Sequence, residues 1–460
     1  MPAPPRTTAA ARIAAYADQQ WREPSRGVSA AASRIAWRAF LDTVAVAAAG
    51  QREDATRIAR GYTQEVAGTG DAIDWGTGTR LPAESAALVN GVAAHVLDYD
   101  DVMTPMRAHV SATLVPALAA LATRTGASGQ HYANAFVAGF EVMAKFTRVM
   151  ALDHYAKGWH STSALGILGT TAACGVLLRL GQAQMRDALG LAVAQASGSR
   201  ENFGAMAKSF QSAHCAASAV RAALLAQAGF TAAQTSIDGP HGYMKLYAAG
   251  EDLDAALASL GEGTPEILRI GLDLKKYPCC YALHRALDGV FDIRRTSGLH
   301  PDEVEHVEIL TSAGGLQALR RDPPRTGLEG KFSMEYALAA ALVDGRIGLD
   351  SFSDEAVQRA QVERLAARVS VREAPGPILP RWSEISLRTR AGDLHQRRVA
   401  VAHGDTADPL TDQELTNKAI DCFDWAGWPG DAARFSAEVL SMGERPLADV
   451  IASCRALAAQ

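Results

Sequence analysis

One segment near the middle of the chain, residues 158–178, has the sequence GWHSTSALGILGTTAACGVLL and contains no Asp, Glu, Lys or Arg. It is long enough to cross a bilayer, but polar residues interrupt its apolar character, namely His160, Ser161, Thr162, Ser163, Thr170 and Thr171. Small residues allow neighbouring backbones to approach closely, and here they are Gly166, Gly169 and Gly175. The segment therefore predicts a central helix, buried on nearly all sides inside a large protein, and no membrane span.

The sequence on both sides of this segment also has a helical pattern. Apolar residues recur with a period near 3.6 over residues 33–49, 83–97 and 132–150, which predicts helices with an apolar face. The Ala-rich run 209–228 predicts another helix, with Gly229 as its C-terminal cap. This half of the chain therefore predicts an all-helical domain.

The pattern changes in the second half of the chain, where β-branched residues become frequent. Residues 304–312, 369–372 and 383–390 predict strands. The turn residues Ala391-Gly392-Asp393 predict a hairpin whose second strand is 396–402. Helical patterns alternate with these strands and dominate again near the C-terminus.

This order predicts a mainly α fold, in which a large all-helical domain is interrupted by a smaller α+β lid domain. We expect the helical domain over residues 1–268, the lid domain over 269–405, and C-terminal helices over 406–460 that complete the helical domain.

Composition excludes several classes of protein. The chain has 460 residues, of which 48% are hydrophobic and 21% charged, as in ordinary globular proteins, so wholesale disorder is excluded. A formal net charge of −5 argues against a nucleic-acid partner, because such surfaces need dense Lys and Arg. Six Cys without paired CxxC spacing are too few for a disulfide framework and favour a reducing, cytoplasmic location.

An acidic cluster follows one of the predicted helices, in the sequence His95-Val96-Leu97-Asp98-Tyr99-Asp100-Asp101. Carboxylates this close repel one another, so at least one should have a raised pKa, which suits a general acid or base. Arg107 and His109 follow in the next segment. Two alternatives are a group of capping carboxylates and a metal site formed by His95, Asp98 and His109. No established metal-binding spacing accompanies these residues, so we expect no metal.

His160 lies at the start of the uncharged segment. A histidine at a helix N-terminus feels the positive end of the helix dipole, tends to remain neutral, and can donate a hydrogen bond to an anion. The alternative is that Ser161 or Thr162 simply caps the helix, which the local sequence alone favours.

Two further clusters contain lysine. Lys208 begins the Ala-rich helix with Gln211 on the same face, and a cation near a helix N-terminus opposes the dipole, which favours an anionic ligand. Lys275 and His284 flank the sequence Tyr277-Pro278-Cys279-Cys280 and are expected to line a cleft where the domains meet. The alternatives are ordinary surface lysines and two cysteines that act as small buried hydrophobes.

These clusters supply carboxylates, imidazoles and ammonium groups without a phosphate-binding loop or a nucleophile elbow, which suits acid–base chemistry on a small carboxylate. At the same positions the chain resembles the MmgE/PrpD family, which includes 2-methylcitrate dehydratases, cis-aconitate decarboxylases and an iminodisuccinate epimerase. The matching stretches are NGVAAHVLDYDD (90–101), GWHST (158–162), Lys208 with its helix, KKYPCC (275–280) and KFSMEY (331–336).

The resemblance implies a helical domain with an α+β lid, a homodimer, and a site between the two domains that uses no cofactor. It places the family's active-site Asp at Asp98, its loop His at His109, its helix-mouth His at His160, and its two lysines at Lys208 and Lys275. We expect Asp98, His109 and Lys208 to be catalytic. The expected substrate-binding residues are His160, Lys275, Cys280, His284, Gln211 and Arg107.

The chain departs from the family pattern at several positions. Val102 and Val110 replace a common Thr and Pro, and Gln211 replaces a common His, with His214 one turn further along. Cys280 stands where cis-aconitate decarboxylases have a catalytic His, which argues against decarboxylation of cis-aconitate.

The resemblance therefore implies a cofactor-independent lyase. The leading expectation is a dehydratase that acts on a hydroxy di- or tricarboxylate resembling 2-methylcitrate and removes the proton α to a carboxylate. One alternative is an epimerase or isomerase of a dicarboxylate that uses the same site, as in iminodisuccinate epimerase. A second alternative is a carboxylate-binding homologue without catalytic activity.

Overall fold

The computed structural model describes residues 7–22, 28–248 and 252–455. The predicted fold class is confirmed, because the described chain is mainly helical with one two-stranded and one four-stranded sheet. Before residue 277 the helices are α1 (Ala9–Arg22), α2 (Ala30–Gly50), α3 (Asp54–Val66), α4 (Ala83–His95), α5 (Ser111–Thr125), α6 (Gly129–Ala156), α7 (Ser161–Ala164), α8 (Gly166–Leu177), α9 (Gln182–Val193), α10 (Ala207–Gln227), α11 (Tyr243–Tyr247), α12 (Leu253–Leu257) and α13 (Glu266–Arg269).

The later part of the chain mixes helices and strands. Its helices are α14 (His284–Ser297), α15 (Gly327–Gly330), α16 (Met334–Asp344), α17 (Asp354–Val357), α18 (Ala360–Ala366), α19 (Asp412–Ala426), α20 (Ala432–Leu440) and α21 (Leu447–Ser453). The strands of the described residues form a two-stranded ribbon, β1 (Ala72–Ile73) and β2 (Arg80–Leu81), and a sheet of β3 (Val304–Thr311), β4 (Val369–Glu373), β5 (Ser383–Thr389) and β6 (Leu394–Val399).

The four-stranded sheet has the order β4-β3-β5-β6. β3 is parallel to β4 and antiparallel to β5, and β5 pairs antiparallel with β6. The predicted hairpin is confirmed, and Gly392 in its turn has a φ of 94°, which glycine adopts without strain. Ile385 and Leu387 are buried in the core beneath the sheet, beside α14 and α16.

Buried apolar side chains form two separate cores. One core takes its residues from 9–274 and again from 410–454, and the other takes its residues from 277–399. The chain therefore leaves the helical core once, builds the sheet-containing unit, and returns to the helical core through α19–α21. No helix of the described residues is long and apolar enough to traverse a membrane.

The uncharged segment 158–178 is largely buried, as predicted, but it is not one continuous helix. Residues 161–177 are all buried, yet the helix divides at Leu165 into the short α7 and the longer α8. Helix formation starts only at Ser161 because the preceding backbone is extended, with the His160 N–H donated to Gly198 O at 3.1 Å. The prediction of a single helix from residue 158 was therefore wrong at its N-terminal end.

The close approach predicted for the glycines of this segment holds at one crossing. A Cβ added at Gly169 would lie 2.4 Å from Gly139 O, and one added at Gly139 would lie 2.7 Å from Gly169 O, so α6 and α8 are in backbone contact there. At Gly166 an added Cβ meets nothing closer than 3.7 Å, which is an ordinary contact. The crossing therefore needs glycine at residue 169 and not at residue 166.

We predict that Gly169→Ala lowers the free energy of unfolding of the helical domain by about 1–3 kcal/mol, because the added methyl group forces α6 and α8 apart. Gly166→Ala is the matched control, since it adds the same group to the same helix without a clash and should leave stability unchanged or slightly higher. Urea unfolding followed by circular dichroism measures both. Equal urea midpoints for the two variants would contradict the backbone contact between α6 and α8 at Gly169.

Candidate active site

A cleft lies between the helical domain and the sheet-containing domain. It contains about 880 Å³ of empty space, part of which is open to solvent. Both domains contribute to its walls. Polar side chains that line it include Asp98, Thr104, Arg107, His109, His160 and Lys208 from the helical domain, and Cys280, Arg285, Thr311, Ser312, Gln317, Arg381 and Ser383 from the other.

The loop that follows α4 positions the acidic cluster. Asp98 has a φ of 52° and Arg107 a φ of 54°, a left-handed conformation that non-glycine residues rarely adopt and that often marks functional sites. Paired hydrogen bonds of 2.9 Å between the backbones of Val102 and Asp273 tie this loop to the segment that leads to Lys275. The strained loop that carries Asp98 is therefore held beside the segment that carries Lys275.

Asp98 is buried between two ammonium groups. Lys208 Nζ lies 2.6 Å from Asp98 Oδ1, and Lys275 Nζ lies 3.0 Å from Oδ2 while it donates to Asp98 O at 2.6 Å. Burial alone would raise the pKa of Asp98, but the two lysines outweigh it and hold that pKa well below its usual value. Asp98 is therefore ionised, and as long as both lysines stay charged it is a poor proton acceptor.

Two histidines meet at Asp100, which is fully buried. Asp100 Oδ2 lies 2.9 Å from His95 Nδ1 and 3.1 Å from His109 Nδ1. Burial would raise the pKa of Asp100, but the two imidazoles hold it well below its usual value. His95 Nδ1 is hydrogen-bonded to this carboxylate, whereas His109 Nδ1 has no hydrogen-bond partner among the described residues and contacts Asp100 through charge alone. The ionised carboxylate nevertheless favours the tautomer in which each ring carries its proton on Nδ1.

This arrangement leaves the Nε2 atoms of both histidines as acceptors. His95 Nε2 accepts from Lys208 Nζ at 2.8 Å, while His109 Nε2 lies 3.6 Å from Asp98 Oδ1 at the cleft. Burial, offset by Asp100 and reinforced by Lys208, lowers the pKa of His109 to about 3, so its ring is neutral. The base of the cleft thus holds two ammonium groups, two carboxylates and two neutral imidazoles, with no net charge.

The predicted rise in pKa within the acidic cluster occurs at Asp101 and not at Asp98. Burial raises the pKa of Asp101 to about 8, even though its carboxyl accepts hydrogen bonds from the backbone and hydroxyl of Ser111. Asp101 is absent from the cleft wall among the described residues. Asp101 is a neutral structural carboxyl. The acidic cluster thus does contain a group with a raised pKa, but this group lies outside the cleft.

His160 lines the cleft. Burial, followed by the charge of Lys208, holds the pKa of His160 well below its usual value. Gln211 Nε2 lies 3.2 Å from His160 Nδ1, so the ring proton belongs on Nε2, which has no partner among the described residues. Gln211 itself does not line the cleft but orients His160.

The other expected substrate-binding residues are divided between the cleft wall and the interior. Cys280 and Arg107 line the cleft, and burial raises the pKa of the Cys280 thiol to about 11. Lys275 has no exposed surface and lies behind Asp98. His284 is also fully buried, with Nε2 at 3.4 Å from Cys279 O and its ring beside two tyrosines.

The donor atoms of His95, Asp98, Asp100 and His109 lie within 4.8 Å of one another, as in a metal site. The Lys208 ammonium, however, already contacts both His95 Nε2 and Asp98 Oδ1. A divalent cation held by those atoms would face that charge at close range. The donor set therefore fits an internal ammonium better than a metal ion.

Sequence reasoning missed several residues of the site. Asp100 was seen only as part of a crowded cluster, and its role needs the folded positions of His95 and His109. The second domain contributes cleft residues that no local sequence motif marked, namely Arg285, Ser312 and Arg381. Only the fold brings these residues to the site.

Comparison with known proteins shows the family of the chain. Residues 12–256 match the MmgE/PrpD N-terminal domain and residues 277–442 match the MmgE/PrpD C-terminal domain. The chain is 28% identical over 396 residues to the cis-aconitate decarboxylase of Homo sapiens, covering 83% of this chain and 81% of that protein. It is also 28% identical to the Mus musculus protein of that name and 25% identical to one from Aspergillus terreus, over 83% and 64% of this chain and 80% and 64% of those proteins.

The raised pKa of Asp101 has a consequence for stability. The folded state holds this proton more tightly than the unfolded chain, so the stabilisation is complete below about pH 4 and is lost as pH rises towards 8. We predict that Asp101→Asn removes this loss, so that the variant gains stability relative to the wild type between pH 5 and 8, by at most about 1.4 kcal/mol per pH unit.

Urea unfolding at several pH values measures this difference, and the exposed Asp322→Asn serves as the control that should track the wild type. Parallel pH profiles for wild type and Asp101→Asn would show that Asp101 is ionised in the folded protein.

Proposed function

The chain belongs to the MmgE/PrpD family, and on that premise we propose that it is a cofactor-independent lyase that dehydrates a hydroxy di- or tricarboxylate of the 2-methylcitrate type. The observation that carries this proposal is the pairing, in one cleft, of a neutral imidazole with a charged ammonium group. His109 and Lys208 both line the cleft, and both reach Asp98 Oδ1.

The proposed base is His109. The charge of Asp100, 3.1 Å from Nδ1, favours a proton on Nδ1. The ring then presents the Nε2 lone pair, which takes the proton from the carbon α to a substrate carboxylate. The pKa of His109 is low in the empty cleft because the site is buried and Lys208 is close. A bound polyanion raises that pKa, since a nearby negative charge favours the imidazolium form. The substrate therefore strengthens its own base.

The proposed acid is Lys208. Of its three N–H groups, one is donated to His95 Nε2 and one to Asp98 Oδ1, which leaves one for the leaving hydroxyl group of the substrate. Proton transfer from Lys208 converts the hydroxyl to water as the carbon–oxygen bond breaks and the carbon–carbon double bond forms. Asp98 remains ionised throughout and stabilises the ammonium, so it supports the acid instead of acting as a base.

A second candidate is decarboxylation, which the names of the similar proteins favour. Against it stands Cys280, which occupies the position of a catalytic His in the decarboxylases according to the resemblance. A thiol with a pKa raised to about 11 is neutral near pH 7 and cannot take over the work of an imidazole there. Dehydration needs only His109 and Lys208, and both are present in the cleft.

The test is a panel of hydroxy and unsaturated di- and tricarboxylates incubated with the protein in heavy water and followed by proton NMR. We expect elimination of water from a hydroxy acid of the panel, or the reverse hydration. Loss of carbon dioxide from cis-aconitate would establish the second candidate. Exchange of deuterium without net consumption indicates an epimerase, and binding without any exchange indicates a carboxylate-binding protein.

We predict that His109→Gln lowers kcat by about 10²–10⁴-fold on the substrate identified by that panel, because general base catalysis is lost while the side chain keeps a similar size. The control is His241→Gln, at an exposed position far in sequence from the cleft residues. Near-native turnover in His109→Gln would remove this residue from the mechanism.

A further inference from the structure

Arginine side chains form part of the cleft wall away from the Asp98 cluster. Arg107 reaches it from the helical domain, and Arg285 and Arg381 reach it from the sheet-containing domain. The three therefore meet across the junction between domains, and we call them the arginine group. Among the described residues, only one carboxylate, that of Asp405, forms an ion pair with any of these three arginines.

Within the arginine group, the charge of Arg285 is neutralised by a carboxylate of the protein itself. Its Nη2 lies 3.1 Å from Asp405 Oδ2, and its Nε donates to Ala400 O at 2.9 Å. These contacts hold Arg285 in place and balance its charge. It therefore supports the wall of the cleft without needing a ligand.

Arg107 has no carboxylate within 4.0 Å among the described residues. Its Nη1 donates to Gln317 Oε1 at 2.5 Å, and its guanidinium lies 4.9 Å from the centre of the Tyr155 ring. Its Nη2 is buried and has no hydrogen-bond partner among the described residues. A left-handed backbone at Arg107 holds this unsatisfied donor at the cleft, which is costly unless a ligand accepts from it.

Arg381 is in a similar position on the opposite side of the domain junction. Its Nη1 donates to Ala313 O at 3.1 Å, and it forms no ion pair with a described carboxylate. Burial, and then the charges of Arg107 and Arg285, lower the pKa of Arg381 to about 10. Since Arg107 and Arg381 have no carboxylate partner among the described residues, an anion between them would relieve the repulsion between their charges.

A nearby carboxylate does not satisfy this group. Glu373 raises the pKa of both Arg107 and Arg381, but neither guanidinium has a carboxylate oxygen within 4.0 Å among the described residues. Glu373 Oε1 instead accepts from the backbone N–H of Leu316 at 2.7 Å. Glu373 thus holds the turn beside Arg107 in place, and the two guanidinium groups remain without a carboxylate partner among the described residues.

We propose that Arg107 and Arg381 bind a second carboxylate of the substrate, remote from the reacting carbon at His109 and Lys208. The site then selects molecules with at least two carboxylates, because a monocarboxylate that reaches the base of the cleft leaves Arg107 and Arg381 unpaired. Guanidinium groups suit this task because they bind carboxylates in a bidentate manner. The anion also bridges the two domains, since its two arginines come from different sides of the cleft. This inference deepens the proposed function and rests on it for the identity of the reacting end.

Binding of unreactive probes tests the proposal without any turnover. The probes are propane-1,2,3-tricarboxylate, which has no hydroxyl group to eliminate, and butyrate, which has one carboxylate. Isothermal titration calorimetry at constant ionic strength measures both affinities for the wild-type protein. We expect the tricarboxylate to bind at least 10-fold more tightly than butyrate.

We predict that Arg381→Gln weakens binding of the tricarboxylate by about 10- to 100-fold and changes butyrate binding less than about threefold. Arg107→Gln, on the other domain, should have the same selective effect, so the test does not depend on one variant folding. Arg381→Lys keeps the charge without the bidentate fork and should fall between Arg381→Gln and the wild type. Arg397→Gln, an exposed arginine paired with Asp292, is the control and should match the wild type.

Two results would overturn the proposal: equal loss of both probes in Arg381→Gln and Arg107→Gln, or wild-type protein that does not prefer the tricarboxylate. Selective binding combined with no elimination on any hydroxy acid supports the arginine site and contradicts the dehydratase. The failures of the two proposals are therefore distinguishable.

Discussion

Buried ion pairs at the base of the cleft join parts of the chain that are far apart in sequence. Lys208 and Lys275 neutralise Asp98, while Lys418 of α19 pairs with Asp42 at 2.7 Å and donates to the backbone oxygens of Tyr99 and Lys275, each at 2.8 Å. Loss of one partner of such a pair leaves an uncompensated buried charge, at a cost of about 3–5 kcal/mol. The Asp98 loop, the Lys275 segment and the C-terminal helices are thereby fixed relative to one another.

The same charges decide the protonation states that the chemistry needs. Asp98 stays ionised because two lysines face it, and Asp100 stays ionised because two imidazoles face it. Asp100 in turn leaves the His109 lone pair available at the cleft, while Asp98 keeps Lys208 at hand as a proton donor. In the proposed mechanism, the base and the acid are thus set by carboxylates that do not themselves move protons, and Arg107 and Arg381 are the proposed attachment point for a second carboxylate of the substrate.

Sequence patterns predicted the fold where local chemistry determines it, as in the hairpin around Gly392 and the Ala-rich α10. They also named Asp98, His109, His160 and Lys208, which the fold brings to one cleft. They did not predict the break at Leu165. They also did not predict the low pKa of Asp98, because the deciding partners are remote: Lys208 and Lys275 lie 110 and 177 positions from Asp98. Arg381 had no local signal. The homodimer expected from the resemblance stays a prediction.

The most direct test of this account is a neutron crystal structure of the protein near pH 7, which locates hydrogen atoms. The account predicts bare carboxylates at Asp98 and Asp100, a single proton on Nδ1 of both His95 and His109, and a complete ammonium group at Lys208. A proton on Asp98, or a doubly protonated His109 ring in the empty cleft, would contradict it.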